Sequence, residues 1–183
     1  MISIVSATNR NQSITRIVSE TYRKLLEQHG NSTLFFHLES VPGEFLNDGM
    51  YRKAAHGLRD FGHSIFNSAD EFVMIMPEYN GSFPGVLKLV IDACNPDIFI
   101  GKRFALVGVA SGRAGNLRGM DHMTDILHYL KAEVYSQKLP ISQIRNLLDS
   151  DFKLSHEPTL EAMQKHILGF KEFSGRFSTR LQS

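Results

Sequence analysis

The chain has 183 residues, 42% of them hydrophobic and 21% charged, with 13 Phe, no Trp and a formal charge of +1. That length suits one domain, residues 1–183, with a sizeable core, and the near-neutral balance points to neither nucleic acid nor an anionic membrane as partner. Cys94 stands alone, which excludes an intrachain disulfide and fits a reducing compartment. No apolar run approaches the roughly 18 residues of a membrane span, and no basic-then-apolar leader pattern opens the sequence, so the expected location is cytoplasmic.

Residues 2–7 form a short apolar run rich in β-branched side chains, read as a buried strand. Ile14, Ile17, Val18, Tyr22, Leu25 and Leu26 recur at helical spacing and predict a helix over 13–29, stopped by Gly30 and Asn31. Residues 33–38 read as a second strand, 40–49 as a loop and 51–67 as a weaker helix. A third strand is expected at 71–76 and a helix at 84–93, with Pro84 near its start. A fourth strand at 103–110 precedes a helix over 116–131. Residues 134–141 hold a fifth, poorer strand, and 157–181 a terminal helix with a break expected near Gly169 or Gly175.

Strict β–α alternation with strands apolar on both faces predicts a five-stranded parallel sheet covered by helices on both sides. The order expected for such a doubly wound α/β sheet is 2-1-3-4-5, with ligands beyond the carboxyl ends of the strands. Three loops then meet there, after strands one, three and four: SATNRNQS (6–13), PEYNGSFPG (77–85) and SGRAGNLRG (111–119).

The first loop lacks the glycines of a dinucleotide turn or a phosphate-binding loop. It offers the Ser6, Thr8 and Ser13 hydroxyls, the Asn9, Asn11 and Gln12 amides, and Arg10. With Ser13 or Asn11 as cap, free N–H groups at the helix start suit a terminal phosphate with its three oxygens. A capped helix after a polar turn, with Arg10 in solvent, explains the same residues. In the second loop Gly81 permits a positive φ, and the N–H groups of Tyr79, Asn80, Gly81 and Ser82 can meet the polar edge of a planar heterocycle. Glycines of the third loop allow close approach to a flat ring, while Arg113 and Arg118 suit a second, anionic ligand.

These residues resemble the NAD(P)H-dependent FMN reductases of flavodoxin-like fold, a family with quinone, azo-dye and chromate reductase members. Its first-loop pattern G-S-x-R-x-x-S is met by Arg10 and Ser13, with Thr8 keeping the hydroxyl and Ala7 in place of the glycine. Its signature P-E-Y-N-x-S-x-P-G-x-L-K-x-x-I-D is met by Pro77, Glu78, Tyr79, Asn80, Ser82, Pro84, Gly85, Leu87, Lys88, Ile91 and Asp92. The likeness covers about residues 1 to 140. It implies that Thr8, Arg10 and Ser13, with Gln12 beside them, hold the FMN phosphate. Pro77, Glu78, Tyr79, Asn80, Gly81 and Ser82 then line the ring, and Ser111, Gly112 and Gly115 border its other edge.

The resemblance further implies hydride transfer from NAD(P)H to FMN and on to a small acceptor: free flavin, a quinone, an azo dye or a metal oxyanion. No protein group is assigned as proton-transferring catalyst, because the cofactor carries that chemistry. A homodimer or homotetramer is also implied, with Val86, Leu89, Val90 and Ala93 facing either a partner or the sheet. A flavodoxin-type carrier is the alternative, disfavoured by a pI near 7.9, and an FMN-free regulatory relative is a third reading. His122 and His128 do not share a helix face, and His156-Glu157 lacks a second histidine, so no metal site is expected. Phe170, Phe173 and Phe177 at helical spacing predict packing rather than nucleic-acid contact.

Overall fold

The computed structural model of the chain describes residues 1–41 and 56–178. In chain order it contains β1 (Ile2–Ser6), α1 (Ile14–Gln28), β2 (Thr33–His37), α2 (His56–Phe66), β3 (Glu71–Pro77), α3 (Gly85–Asp92), β4 (Arg103–Val109), α4 (Leu117–Tyr129), β5 (Glu133–Val134), β6 (Leu139–Ile141) and α5 (Glu157–Ser178). The strands run parallel in the order β2-β1-β3-β4-β5, with β6 also paired to β4. This is the doubly wound, flavodoxin-like order expected from the alternation. Residues 42–49 of the expected loop, 51–55 of the expected second helix and 179–181 of the terminal helix lie outside the described residues.

The period-2 alternation of the strands splits the core in two. Phe72, Met74 and Met76 of β3 and Phe104 and Leu106 of β4 meet Ile65, Phe66, Leu87, Val90, Met120, Met123 and Leu127 from α2, α3 and α4. Ile2, Ile4, Val73, Ile75, Ala105 and Val107 point the other way, onto Val18, Tyr22, Leu26, Met163, Ile167 and Phe170 of α1 and α5. Each fully buried Val, Leu, Ile, Phe or Met among them contributes about 1.5–3 kcal/mol over leaving it in water. Val90 of α3 and its C-cap Ala93 are buried, and Val86 and Leu89, partly buried, pack against the same core. Cys94 closes that core; its thiol donates to the Val90 carbonyl, and burial pushes its pKa up to about 12, which makes it an inert packing thiol.

The fifth strand differs from expectation. Phe104 pairs with Val134 and Val107 with Leu139, so three steps along β4 face five along the edge. Two extra residues bulge out and divide the strand into β5 and β6. An even insertion keeps the inward and outward faces in phase, so Leu139 and Ile141 still enter the α1/α5 core. The bulge frees Tyr135 to pack on Phe170 and Phe173, with ring centroids 6.1 and 5.5 Å away. Its hydroxyl lies where a β-carbon on residue 169 would stand, so Gly169 admits the phenol, and α5 runs on unbroken through Gly169 and Gly175.

Candidate functional site

β1 lies between β2 and β3, so the chain reverses its winding beside it, and the loops after β1, β3 and β4 converge there. They enclose a cleft of about 250 Å3, lined by Arg10, Asn11, Gln12, Ser13, Ile14 and Thr15. Pro77, Glu78, Tyr79, Val109, Ala110 and Ser111 line it too, together with Ile144 and Arg145.

The first wall is the start of α1. Ser13 is extended at φ −74°, and its Oγ accepts the Arg16 N–H at 3.2 Å, which caps the helix and leaves the hydroxyl proton free to donate. The N–H groups of the first helical turn have no intrahelical acceptor. No acidic residue occupies that turn. A helix start is stabilised by negative charge, and the first turn of α1 supplies none. The donor set is therefore N–H groups, a hydroxyl and guanidinium groups, which fits a phosphate monoester.

Thr8 does not line the cleft. It is 1% exposed, and its Oγ1 lies 2.7 Å from the Tyr79 hydroxyl while accepting the Arg10 N–H at 3.3 Å. Its hydroxyl braces the first loop against the second.

The second loop is a tight hairpin. Tyr79 N–H donates to the Ser82 carbonyl at 2.8 Å and Ser82 N–H to the Tyr79 carbonyl at 3.1 Å, around Asn80 at φ 51° and Gly81 at φ 77°. Two successive positive φ values make this the Asn-Gly turn of a two-residue hairpin. The expected row of four N–H groups is thus reduced, because those of Tyr79 and Ser82 satisfy each other. Those of Asn80 and Gly81 stay at the tip with no partner among the described residues. Ser82 Oγ lies 2.9 Å from His122 Nδ1, which brings a histidine of α4 to the hairpin. Asn80, Gly81 and Ser82 lie beside the cleft rather than in its wall.

In the third loop only Ser111 lines the cleft. The Gly112 carbonyl accepts the Gln143 N–H at 2.9 Å, and Gly115 packs against Pro140, so both tie the third loop to the segment around β6. Next in the chain comes Asn116, fully buried at φ 63°. Its Nδ2 donates to the Met76 and Pro77 carbonyls, each at 3.0 Å, and its N–H donates to Glu78 Oε2 at 3.2 Å. Its Oδ1 is buried without a partner, a loss of about 1–3 kcal/mol. Room for it comes from Gly119, where a β-carbon would strike the Asn116 amide and lie 2.8 Å from the Phe83 nitrogen.

Sequence reasoning missed Thr15, Ile144 and Arg145 as cleft residues. Thr15 follows from the helix phase of α1. Arg145 arrives through the short 3-10 turn Ile144–Leu147 after β6, held by Ile144 N–H to the Ala110 carbonyl at 3.0 Å. No local pattern marks it, because its position depends on the strand pairing. Among the described residues no three His, Cys, Asp or Glu side chains come together as a metal site. No described helix is long and apolar enough to cross a membrane.

An NAD(P)H-dependent FMN reductase of Pseudomonas aeruginosa is 33% identical over 104 residues, a match spanning 55% of this chain and 56% of that relative. An NADPH azoreductase of a Bacillus species is 32% identical over 137 residues, 75% of this chain and 71% of the relative. The chain thus spans little more than half the length of the first of these curated relatives. Among solved structures, a flavoenzyme NAD(P)H:(acceptor) oxidoreductase from Paracoccus denitrificans superposes with a TM-score of 0.72 at 22% identity, over 92% of this chain and 93% of that one. The sequence model of the NADPH-dependent FMN reductases matches residues 1–146, which include every wall of the cleft, and the chain belongs to that family.

Proposed function

We propose that the cleft holds FMN, phosphate against the start of α1 and ring against the 79–82 hairpin, and that the chain moves hydride from NAD(P)H to a small acceptor. One observation carries this reading. A helix start with no acid in its first turn, flanked by Arg10 and Arg145, opens into the same cleft as Pro77, Glu78 and Tyr79. FMN, when bound, supplies the hydride chemistry; the protein supplies binding, orientation and electrostatics.

Arg10, Gln12 and Ser13 hold the phosphate, joined by Arg145 and by the N–H groups that open α1. Pro77, Glu78, Tyr79 and Ser111 flank the ring, and the Asn80 and Gly81 N–H groups serve its polar edge, where negative charge develops on reduction. Ser82, Gly112 and Gly115 act from behind, as supports for these walls, and Thr8 fixes Tyr79. Arg118 lies beside the hairpin tip, with a guanidinium nitrogen 3.7 Å from where a β-carbon of residue 81 would be, and meets the phosphates of the nicotinamide nucleotide. Free flavin and quinones are the acceptor classes. The reading includes a homodimer or homotetramer, supported by Tyr129 of α4, which is 86% exposed beside half-buried Ile126 and Leu130. It also includes a reducing, cytoplasmic setting, in keeping with a single buried thiol.

Flavin fluorescence tests the reading. FMN is expected to be quenched on titration with the protein and riboflavin much less, since only FMN offers the phosphate. Anaerobic NADH or NADPH should then bleach the bound flavin, and a quinone should restore its colour. Absent quenching overturns the phosphate seat; uptake without bleaching overturns the nicotinamide donor.

A further inference from the structure

Asn116 does not line the cleft, yet it is bonded to Pro77 and Glu78, which do. It takes a left-handed backbone, is buried completely and leaves Oδ1 unsatisfied. Residues held in such a state persist where the surroundings fix them, and they gather near functional sites. What Asn116 gains is a grip on three acceptors. Its Nδ2 spans the Met76 and Pro77 carbonyls and its N–H takes the Glu78 carboxylate. All three belong to the end of β3 and the step into the hairpin. The peptide between Pro77 and Glu78 is held from both ends, because the Glu78 N–H donates to the Val109 carbonyl at 2.9 Å.

Glu78 also lines the cleft. A carboxylate free to turn there would face the ring at the place where negative charge develops. We propose that Asn116 is a positioning residue for the ring seat: it draws the Glu78 carboxylate and the β3 carbonyls back, so that the seat presents the Asn80 and Gly81 donors and favours the electron-rich form of bound FMN. The grip has two parts. The side-chain amide fixes the 115–116 turn against β3, and the left-handed backbone aims the N–H at Glu78. The proposal rests on the reading of the cleft as an FMN seat.

The test uses the midpoint potential of bound FMN, measured by dye equilibration, with FMN affinity measured alongside. Failure of wild type to bind FMN refutes the underlying reading, whereas failure of the proposal shows only among variants that bind. Asn116→Ala loses the amide and disfavours the left-handed backbone, so its potential should fall by about 30 mV, a tenfold loss of preference for the two-electron-reduced form. Asn116→Gly keeps the backbone and loses the amide, so its fall should be smaller; it also serves if the alanine variant fails to fold. Adding Glu78→Gln to either variant should restore the potential, and the rise should exceed the one that Glu78→Gln causes in wild type. Unchanged potentials in the Asn116 variants, a fall that Glu78→Gln does not relieve, or an equal shift from Glu78→Gln in wild type would each overturn the proposal. A variant that is merely less stable would lose FMN affinity and melting temperature without this rescue.

Discussion

Two polar clusters flank α1, and they are finished differently. On the side facing α5, the Tyr22 hydroxyl meets His166 Nδ1 at 2.7 Å and His166 Nε2 meets the Gln137 carbonyl at 2.9 Å. A carbonyl only accepts, so Nε2 carries the proton and Nδ1 accepts from Tyr22. Every ring nitrogen and the phenol have a partner, and the cluster joins α1, α5 and the edge bulge in a closed core. At the other place, where α1 begins, Ser13 keeps a free proton, Arg10 and Arg145 carry no ion pair among the described residues, and the N–H groups of Ile14 and Thr15, residues that line the cleft, have no acceptor among the described residues. The residue types are comparable. A cluster that satisfies itself holds the fold, and one that leaves donors open is where the proposed phosphate seat lies.

The largest effect expected from this difference is on stability, at His166. Burial lowers its pKa to about 4, against an ordinary value near 6.5. The unfolded chain therefore binds a proton that the native state refuses, and stability falls as pH drops from about 6.5 to about 4. The whole contribution, about 3 kcal/mol, is present above the unfolded pKa and lost across that window. Urea unfolding of wild type at pH 7.5 and pH 4.5 should show the loss, and His166→Gln should be less stable at neutral pH but flatter with pH. FMN affinity of the folded variant at pH 7.5 should not change. An equal pH slope in wild type and variant would remove His166 from the account.

At the open cluster the signs reverse: affinity should change and stability should hardly move. Arg10→Ala removes a charge-assisted contact of about 1.5–3 kcal/mol, so FMN affinity should fall roughly 10- to 100-fold. Arg145 is exposed, and the corresponding loss should be a few-fold. Riboflavin affinity should be untouched in both variants. A parallel loss for riboflavin would mean that these arginines shape the cleft instead of reading the phosphate.

The contrast also explains what the sequence made legible. Strand faces, helix phases and the order of the sheet were readable because apolar spacing repeats along the chain, and Pro77-Glu78-Tyr79-Asn80-Gly81 carries its turn in its own residues. The contact of Thr8 with Tyr79 is not legible in the sequence, because a hydroxyl is equally suited to a phosphate and to a tyrosine and only the approach of Tyr79 brings the two together. Arg145 and His122 were invisible as neighbours of the cleft, since a split edge strand and the rotation of α4 bring them there. The break expected at Gly169 failed for a related reason: glycine can end a helix, but here its missing side chain admits Tyr135.

Ser13 belongs to both kinds of cluster, which makes it the finest test. Its Oγ closes the helix by accepting from Arg16 N–H, and its proton is left for a ligand. Ser13→Ala removes both functions and should cost about 1 kcal/mol of stability. Ser13→Gly lacks the hydroxyl too, yet glycine is a tolerable cap, so its stability cost should be only a few tenths of a kcal/mol. Thermal melts should therefore separate the two variants. FMN titrations should not, because each lacks the same donor, and both should bind less tightly than wild type by up to about tenfold, near the value of one hydrogen bond. If affinity instead follows stability, with the alanine variant weak and the glycine variant near wild type, then Ser13 serves the helix alone and the phosphate is held by the arginines and the backbone.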